Sequence, residues 1–547
     1  MAAWWVRACS PYVGRRSCLN AAMNRIRKET ISGRWRADAF GLRRAALAAV
    51  CLLAASCAAP SGNEETASPR QVFTVGFENL AERYFEPVDT GAVTLAGLGR
   101  LTAFDGAIKL SRIGDSVQLD VASEVRAQHA APAKDDVYGW AWLAADLVDD
   151  VRHNSEVIGR LGNEEVYEAV FGGAMAGFDR YSRYTSPEVA RQNRAARDGF
   201  GGIGISITED DGLIVITQVH KGTPAARSAL RVDDRITHVD GQPIDGLPLG
   251  TVVNRLRGPV ESAVVLRIDR TGVLKPFDIT LRRTHIVLPT VTARRSGGLL
   301  EIKLTGFNQG TASSLKRELE RADREMHGHL AGIVLDMRGN PGGLLDQAVA
   351  VADLFLDHGR IISTKGRHAE SNQIFDATPG EYDRGVPIAV LINGRSASAA
   401  EIVAVALRDA GRAVVIGSAS YGKGTVQTIV RLPNGAEMTL TWAKMLAPSG
   451  QTLDHQGIVP ALCTSASGHA EALRRALAAA NQGGGLLPPE LVRPEAGQPH
   501  FTKESILACP ASVSESPADI EVARIVLENR AIYAQAVSDA PNIAKRQ

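Results

Sequence analysis

Cysteine is scarce in this chain: six among 547 residues, at positions 9, 18, 51, 57, 463 and 509. Four of the six fall in the first 57 residues, so the remaining two cannot build a disulfide-dense scaffold. Aromatic residues are only 5% and the net charge is only +1, with no basic stripe of the kind nucleic acid requires. None of the twelve histidines stands in a metal-binding spacing such as His-Glu-x-x-His, so no metal and no cofactor are expected. The apolar run Ala45–Ala55 is eleven residues, too short to cross a bilayer. What is present is ordinary for a globular protein: 45% apolar and 22% charged residues, with length for three or four domains.

The charge is unevenly spread. Residues 1–56 hold ten Lys/Arg against two acids, a balance of +8, which leaves −7 for the rest. Arg43-Arg44 precedes the short apolar run, as in an export signal, with Met23 as an alternative start. Leu53-Ala-Ala-Ser-Cys57 resembles a bacterial lipobox, with Ala54 where leucine is usual. That resemblance implies lipidation of Cys57, a membrane partner through the lipid anchor, and a place in the bacterial cell envelope facing the periplasm. The alternative is an ordinary signal peptide cut nearby and secretion to the periplasm. Residues 57–70 are small and polar and read as a tether. In an exported protein Cys463 and Cys509 would either form one disulfide, worth ~4 kcal/mol for a loop of that size, or remain two buried thiols.

Residues 71–198 carry helix-period apolar patterns, as in Val137–Val151 and Val166–Met175, and are read as a helical N-terminal region. In residues 199–285, Phe200-Gly-Gly-Ile-Gly-Ile-Ser-Ile207 opens a strand behind a glycine turn. Residues 286–468 alternate strands (299–304, 332–337, 386–392, 414–416) with helices (312–327, 344–356), which argues an α/β core. Residues 469–547 hold a Gly/Pro-rich insertion and a helix over 517–527.

Three segments carry chemistry. Leu391-Ile-Asn-Gly-Arg-Ser-Ala-Ser398-Ala-Ala-Glu401 reads as a strand, a turn, then a helix with Ser398 at its N-terminus. There the dipole and free N–H groups favour developing negative charge. Taken alone, Ser398-Ala-Ala-Glu401 also fits a capping box. Ser420-Tyr-Gly-Lys423-Gly-Thr-Val-Gln427 places a lysine between glycines at the start of a strand. Most lysines are solvated, but a desolvated one can be neutral and serve as a base. Asp336-Met-Arg-Gly-Asn-Pro-Gly-Gly343 follows a buried strand and opens a helix; its glycines permit close backbone approach. It lacks the lysine and Ser/Thr of a phosphate loop.

Together these segments resemble the C-terminal processing peptidases (tail-specific proteases), serine enzymes with a Ser-Lys dyad. The resemblance covers residues 165–462 well and the flanks poorly. It implies a multidomain α/β protein: the helical region, a PDZ-like β domain, a layered α/β serine-protease core and a C-terminal helical extension. It implies Ser398 as nucleophile, Lys423 as general base and Gln427 in support. Backbone N–H groups of Ala399 and of Gly342 or Gly343 would form the oxyanion hole. Ser396 matches a family serine that is not the nucleophile. Asp409 matches an aspartate often named in the family, but it lies about 16 Å along the helix from Ser398 and is read as structural. His455 is read as an ordinary loop histidine. In the PDZ-like domain, Gly202, Ile203 and Gly204 would form the loop that takes a chain-terminal carboxylate. The region Arg257-Gly-Pro-Val-Glu-Ser262 lacks a glycine usual in the family. Protein or peptide substrates with accessible C-termini are the partners implied, with an activating adaptor and homo-oligomerisation as further possible partners, and no nucleic acid. The alternative from a different class is a PDZ scaffold lipoprotein with a vestigial protease core; a core that degrades already-cut peptides is a weaker third.

Overall fold

The computed structural model describes residues 67–538 apart from 383–384, 466–468, 484–485 and 488–508. The export signal, Met23 and Cys57 lie outside the described residues, as does most of the Gly/Pro-rich insertion.

The N-terminal region begins with α1 (Pro69–Arg83), set by reciprocal capping: Gln71 N–H donates to Ser68 Oγ and Ser68 N–H to Gln71 Oε1. Helices α2 (Thr90–Gly99), α3 (Val137–Asn154) and α4 (Asn163–Ala174) pack with it around Phe73, Phe77, Trp140, Tyr167 and Phe171. The region is not all helical, contrary to the reading above. Between α2 and α3 runs an antiparallel meander of β1 (Ile108–Ile113), β2 (Ser116–Val121) and β3 (Glu124–Ala130). Its signal is the period-two alternation of Ser116-Val-Gln-Leu-Asp-Val121, which buries Val117 and Leu119. A short strand, β4 (Arg183–Thr185), and helix α5 (Pro187–Asp198) lead onward.

Next comes a small β domain, from β5 (Phe200–Gly202) through β6 (Ile205–Asp210), β7 (Leu213–Val219), β8 (Arg235–Val239), β9 (Gln242–Pro243), β10 (Ala263–Asp269) and β11 (Phe277–Arg282) to β12 (Thr284–Ile286). Its sheet runs β11-β10-β8-β7-β6, so β6 is an open edge, and β5 pairs with β12 to close the domain. One helix, α6 (Leu249–Leu256), packs Val252 and Leu256 onto a core of Ile214, Ile216, Ile236 and Leu266. Glu261 has φ +69°, the left-handed conformation that glycine adopts at little cost. The turn that lacks the family glycine therefore keeps the glycine geometry.

The core sheet is formed by β13 (Val291–Ser296), β14 (Leu299–Leu304), β15 (Gly332–Asp336), β18 (Ile388–Ile392), β19 (Ala413–Gly417) and β22 (Leu462–Cys463), in that spatial order. All but β13 are parallel. Both faces are covered, which explains why these strands read as continuous apolar runs. Helices α7 (Thr311–Glu325), α8 (Leu345–Asp353) and α9 (Ala399–Asp409) pack on Ile302, Leu335 and Val390. Helices α10 (His469–Gly483), α11 (Pro517–Glu528) and α12 (Arg530–Ser538) pack on Val334, Leu391 and Ile416. A second, antiparallel sheet stands beside it: β17 (Gln373–Asp376), β16 (Arg360–Gly366), β21 (Glu437–Leu446) and β20 (Thr425–Arg431), with β4 added to β21. Cys463 and Cys509 are joined by a disulfide.

Candidate active site

Parallel strands deliver their following loops to one edge of the sheet, and ligands in open α/β sheets bind outside those carboxyl ends. Here β15 and β18, side by side, release the loops 337–343 and 393–398. A side-chain amide and a main-chain carbonyl lace the two together. Asn393 Oδ1 accepts from Gly339 N–H at 2.9 Å, and Asn340 O accepts from Ala397 N–H at 3.0 Å. Ser396 is fully buried within this lacing: its Oγ donates to Met337 O at 2.8 Å and accepts from Asn393 N–H at 2.9 Å. It has no freedom to attack anything.

Ser398 differs. Its φ of +55° and ψ of −114° lie outside the regions an L-residue prefers, a strain of about 1–3 kcal/mol. Its side chain makes no cap hydrogen bond. Of the capping arrangement read from the sequence, the part present is Glu401 Oε2 accepting from Ser398 N–H at 2.8 Å. The hydroxyl is left half-buried at the wall of a cavity of about 620 Å³ that Gly342, Gly343, Ala399, Lys423 and Gln427 also line.

The glycine loop comes as close to the serine turn as glycine allows. A Cβ on Gly342 would lie 2.8 Å from Ser398 Cβ and 3.0 Å from Ala399 N. The structure separates Gly342 from Gly343. Gly342 N–H is spent on Asn340 Oδ1 at 2.9 Å. Phe307 bonds the neighbours of Gly343, its N–H reaching Gly342 O and its O taking Leu344 N–H. Gly343 N–H thus faces away from Phe307, and among the described residues neither it nor Ala399 N–H has an acceptor.

Lys423 stands on the loop between β19 and β20. A Cβ on Gly424 would sit 2.0 Å from Asp454 N, so glycine is required where the 453–457 loop crosses. Burial, and after it the positive charge of Arg183, push the Lys423 ammonium below the ordinary lysine range; Asp179 and Glu401 oppose the shift. The Nζ lies 4.7 Å from the Tyr181 ring centroid, and among the described residues no hydrogen bond joins it to Ser398 Oγ. Gln427 lines the same cavity, and among the described residues no hydrogen bond joins it to Lys423. Its Nε2 donates to Thr425 Oγ1 at 2.9 Å and to Thr441 Oγ1 at 3.1 Å, and Thr441 Oγ1 donates to Asp179 Oδ1 at 2.9 Å. Burial raises the Asp179 carboxyl, but bonds from Ser182, Tyr181 and Thr441 outweigh it and hold it below its usual range. Asp409 is at the far end of α9, buried and paired with Arg408. His455 stands on the exposed side of its loop.

Two contributions escaped the sequence reading. Glu401, fully buried, accepts from Ser398 N–H, Gly422 N–H (2.7 Å), Lys423 N–H (3.0 Å) and the Ser420 hydroxyl. One carboxylate therefore fixes both the Ser398 turn and the Lys423 loop. Burial raises its pKa, and the four donors oppose that. The second is the segment 179–183, which brings Tyr181 and Arg183 from the N-terminal region to the amine. The acid at i+3 from Ser398 was a visible signal, but it was consistent with a simple cap; a contact across some 240 residues leaves no local signal.

A parallel sheet covered on both faces, with a strained serine and a desolvated lysine at its loop edge and a small β domain attached, defines a serine-type peptidase. Comparison with known proteins agrees: residues 298–462 match peptidase family S41 and residues 193–269 match the PDZ domain. A carboxy-terminal-processing protease of Bartonella bacilliformis is 40% identical over 300 residues, 54% of this chain and 69% of that protein. The carboxy-terminal processing protease CtpA of Bacillus subtilis is 34% identical over 286 residues, 52% of this chain and 60% of that protein. Among solved structures, a photosystem II D1 C-terminal processing protease is similar over 72% of this chain and 92% of its own, at 22% identity and a TM-score of 0.37. The chain belongs to the carboxy-terminal processing protease family, with a PDZ domain.

Proposed function

We propose that the chain is an endopeptidase that cuts proteins or peptides near their C-termini with Ser398 as nucleophile and Lys423 as general base. One observation carries the reading: a hydroxyl held out on a strained turn at a helix N-terminus shares a cavity with an amine whose burial favours its neutral form. Neutral Lys423 takes the Ser398 proton as Oγ adds to the scissile carbonyl carbon, and the carbonyl electron pair moves to oxygen. The N–H groups of Ala399 and Gly343 hold that oxyanion; the Gly342 N–H, already committed to Asn340, does not. Collapse breaks the C–N bond, protonated Lys423 gives its proton to the leaving amine, and an ester remains on Ser398. Water then gives a proton to Lys423 and attacks the ester, and Ser398 recovers its proton. The scheme uses no cofactor.

With Nζ over Tyr181, the arrangement described is a resting one, and engagement swings the Lys423 side chain across the cavity. Gln427 supports the base indirectly, by holding Thr441 against Asp179. The PDZ domain delivers the substrate, with Gly202, Ile203 and Gly204 taking its terminal carboxylate. Cys57 anchors the protein by lipid in the cell envelope, facing the periplasm. The test is cleavage of an unstructured polypeptide with an apolar C-terminus. Wild type should cut it, and Ser398→Ala and Lys423→Ala should each abolish cutting. Activity that survives Ser398→Ala rules out the assignment; a wild type inert to every such substrate and to acylating serine probes favours the scaffold.

A further inference from the structure

Trp442 is the one tryptophan in the chain after residue 142. Trp140 shows what a structural tryptophan looks like here: it is fully buried, and its Nε1 donates to Ala133 O at 3.0 Å. Trp442 is only half-buried, and among the described residues its indole N–H has no acceptor. Local structure nevertheless fixes where it sits. Val426 pairs with Ala443 and Gln427 with Thr441, so Trp442 is the extra residue of a β-bulge between β20 and β21. A bulge bends its strand and re-aims the side chain it carries, and bulges gather next to active sites. Beside it Gly366 has to be glycine, because a Cβ there would lie 2.0 Å from Trp442 O. The His368 ring packs against the indole, with centroids 6.3 Å apart and planes 25° from parallel. A large ring held in place but left partly open offers apolar surface to a ligand.

The ring lines a groove of about 510 Å³ together with Leu345, Phe375 and Ile429. Leu344, Leu345, Val426, Gln427 and Ile429 line both this groove and the cavity that holds Ser398 and Lys423, so the two are continuous. β20 is the outer strand of its sheet, and among the described residues nothing pairs with its free edge. Such an edge accepts an extended chain as an added strand. Val426 and Gln427, which flank the bulge, follow Lys423 by three and four residues. That span is roughly 10–13 Å of extended chain. A substrate lying along β20 with its scissile bond at Ser398 therefore brings a side chain about three or four residues away onto Trp442.

We propose that Trp442, with Leu345, Phe375 and Ile429, forms a specificity subsite for a bulky apolar side chain of the substrate, set apart from the scissile bond. This rests on the reading of the chain as a peptidase that uses Ser398. It deepens that reading by naming the substrate class: an extended polypeptide with a large aliphatic or aromatic residue at a fixed distance from the cut. Contact made there, away from the reacting atoms, sets the register of the chain over Ser398 and so selects which bond is cut.

The test is a positional scan with the full chain. Its cut sites in β-casein, an unstructured polypeptide, are mapped by mass spectrometry, and a quenched fluorescent dodecapeptide is made around the main site. Each residue from the second to the fifth on either side of the cut is replaced in turn by Phe and by Ser. One position should favour Phe over Ser about tenfold in kcat/KM, the scale of burying a large apolar side chain. Trp442→Ala should remove that preference and keep the preference at the residue next to the cut; Trp442→Phe should retain most of it. Ile429 is exposed, so Ile429→Asp spares the core, and it should turn the same position against Phe. A chain that cuts but shows no such position, or whose preference survives Trp442→Ala or Ile429→Asp, overturns the subsite and leaves the peptidase reading standing. A chain that cuts nothing overturns both.

Discussion

Glu401 shows what a single residue can carry here. Four donors from two separate segments converge on one buried carboxylate, so its loss frees the Ser398 turn and the Lys423 loop together. Glu401→Gln keeps the volume but presents an NH2 group to N–H donors. It should lower kcat about 100-fold, the scale set by ångström-level misplacement of reacting groups. KM should change little and the pH–rate profile should shift, and steady-state kinetics across pH will check both. In the proposed mechanism Lys423 acts when neutral, so activity should rise with pH as the ammonium loses its proton, and its lowered pKa places that rise below the ordinary lysine range. Arg183 helps keep it low. Arg183→Gln should therefore move the rising limb to higher pH, read from kcat/KM against pH. Glu261, exposed at φ +69°, is strained for no gain the structure shows. Glu261→Gly should raise stability by about 1 kcal/mol in denaturant melts.

At the scale of elements, much of the site was legible because it is local. The strand–turn–helix around Ser398 and the glycine run before α8 follow from apolar runs ending in small residues. What was not legible is whatever crosses between elements. Ser396 and Ser398 are alike in sequence, and only the lacing to Met337 and Asn393 tells the bound hydroxyl from the free one. Gly342 and Gly343 are likewise equivalent until Asn340 claims one N–H. Gln427 follows Lys423 by four residues, but Lys423 is on the loop before β20 and the Gln427 bonds run sideways to Thr441. The β1–β3 meander was overlooked because its strands are short and half polar, between helices of stronger period. The segment after Cys509 has a consequence of the same kind. Ser512 O accepts from Gly394 N–H at 2.7 Å, so this segment braces the loop that carries Ser398. Replacing both Cys463 and Cys509 by serine should cost about 4 kcal/mol of stability, measured by chemical denaturation under oxidising conditions.

At the scale of the molecule, the core, the end of the N-terminal region and the helix that leads into the PDZ domain meet at one cavity. The core supplies the serine turn and the glycine loop. The N-terminal region places Tyr181 and Arg183 against the lysine, and α5, on the path into the PDZ domain, lines the same cavity through Asn193 and Arg197. Arg197 and Arg194 are clamped to the buried Glu437 of β21, which ties that path to the sheet beside the site. The central claim is that a neutral Lys423 activates Ser398, and covalent capture tests it most directly. A peptidyl fluorophosphonate would be reacted with the chain across pH and the adduct located by mass spectrometry. The account predicts one adduct, on Ser398, forming faster as pH rises through a single ionisation below the ordinary lysine range, and none in Lys423→Ala. An adduct on another residue, or undiminished labelling of Ser398 in Lys423→Ala, would contradict it.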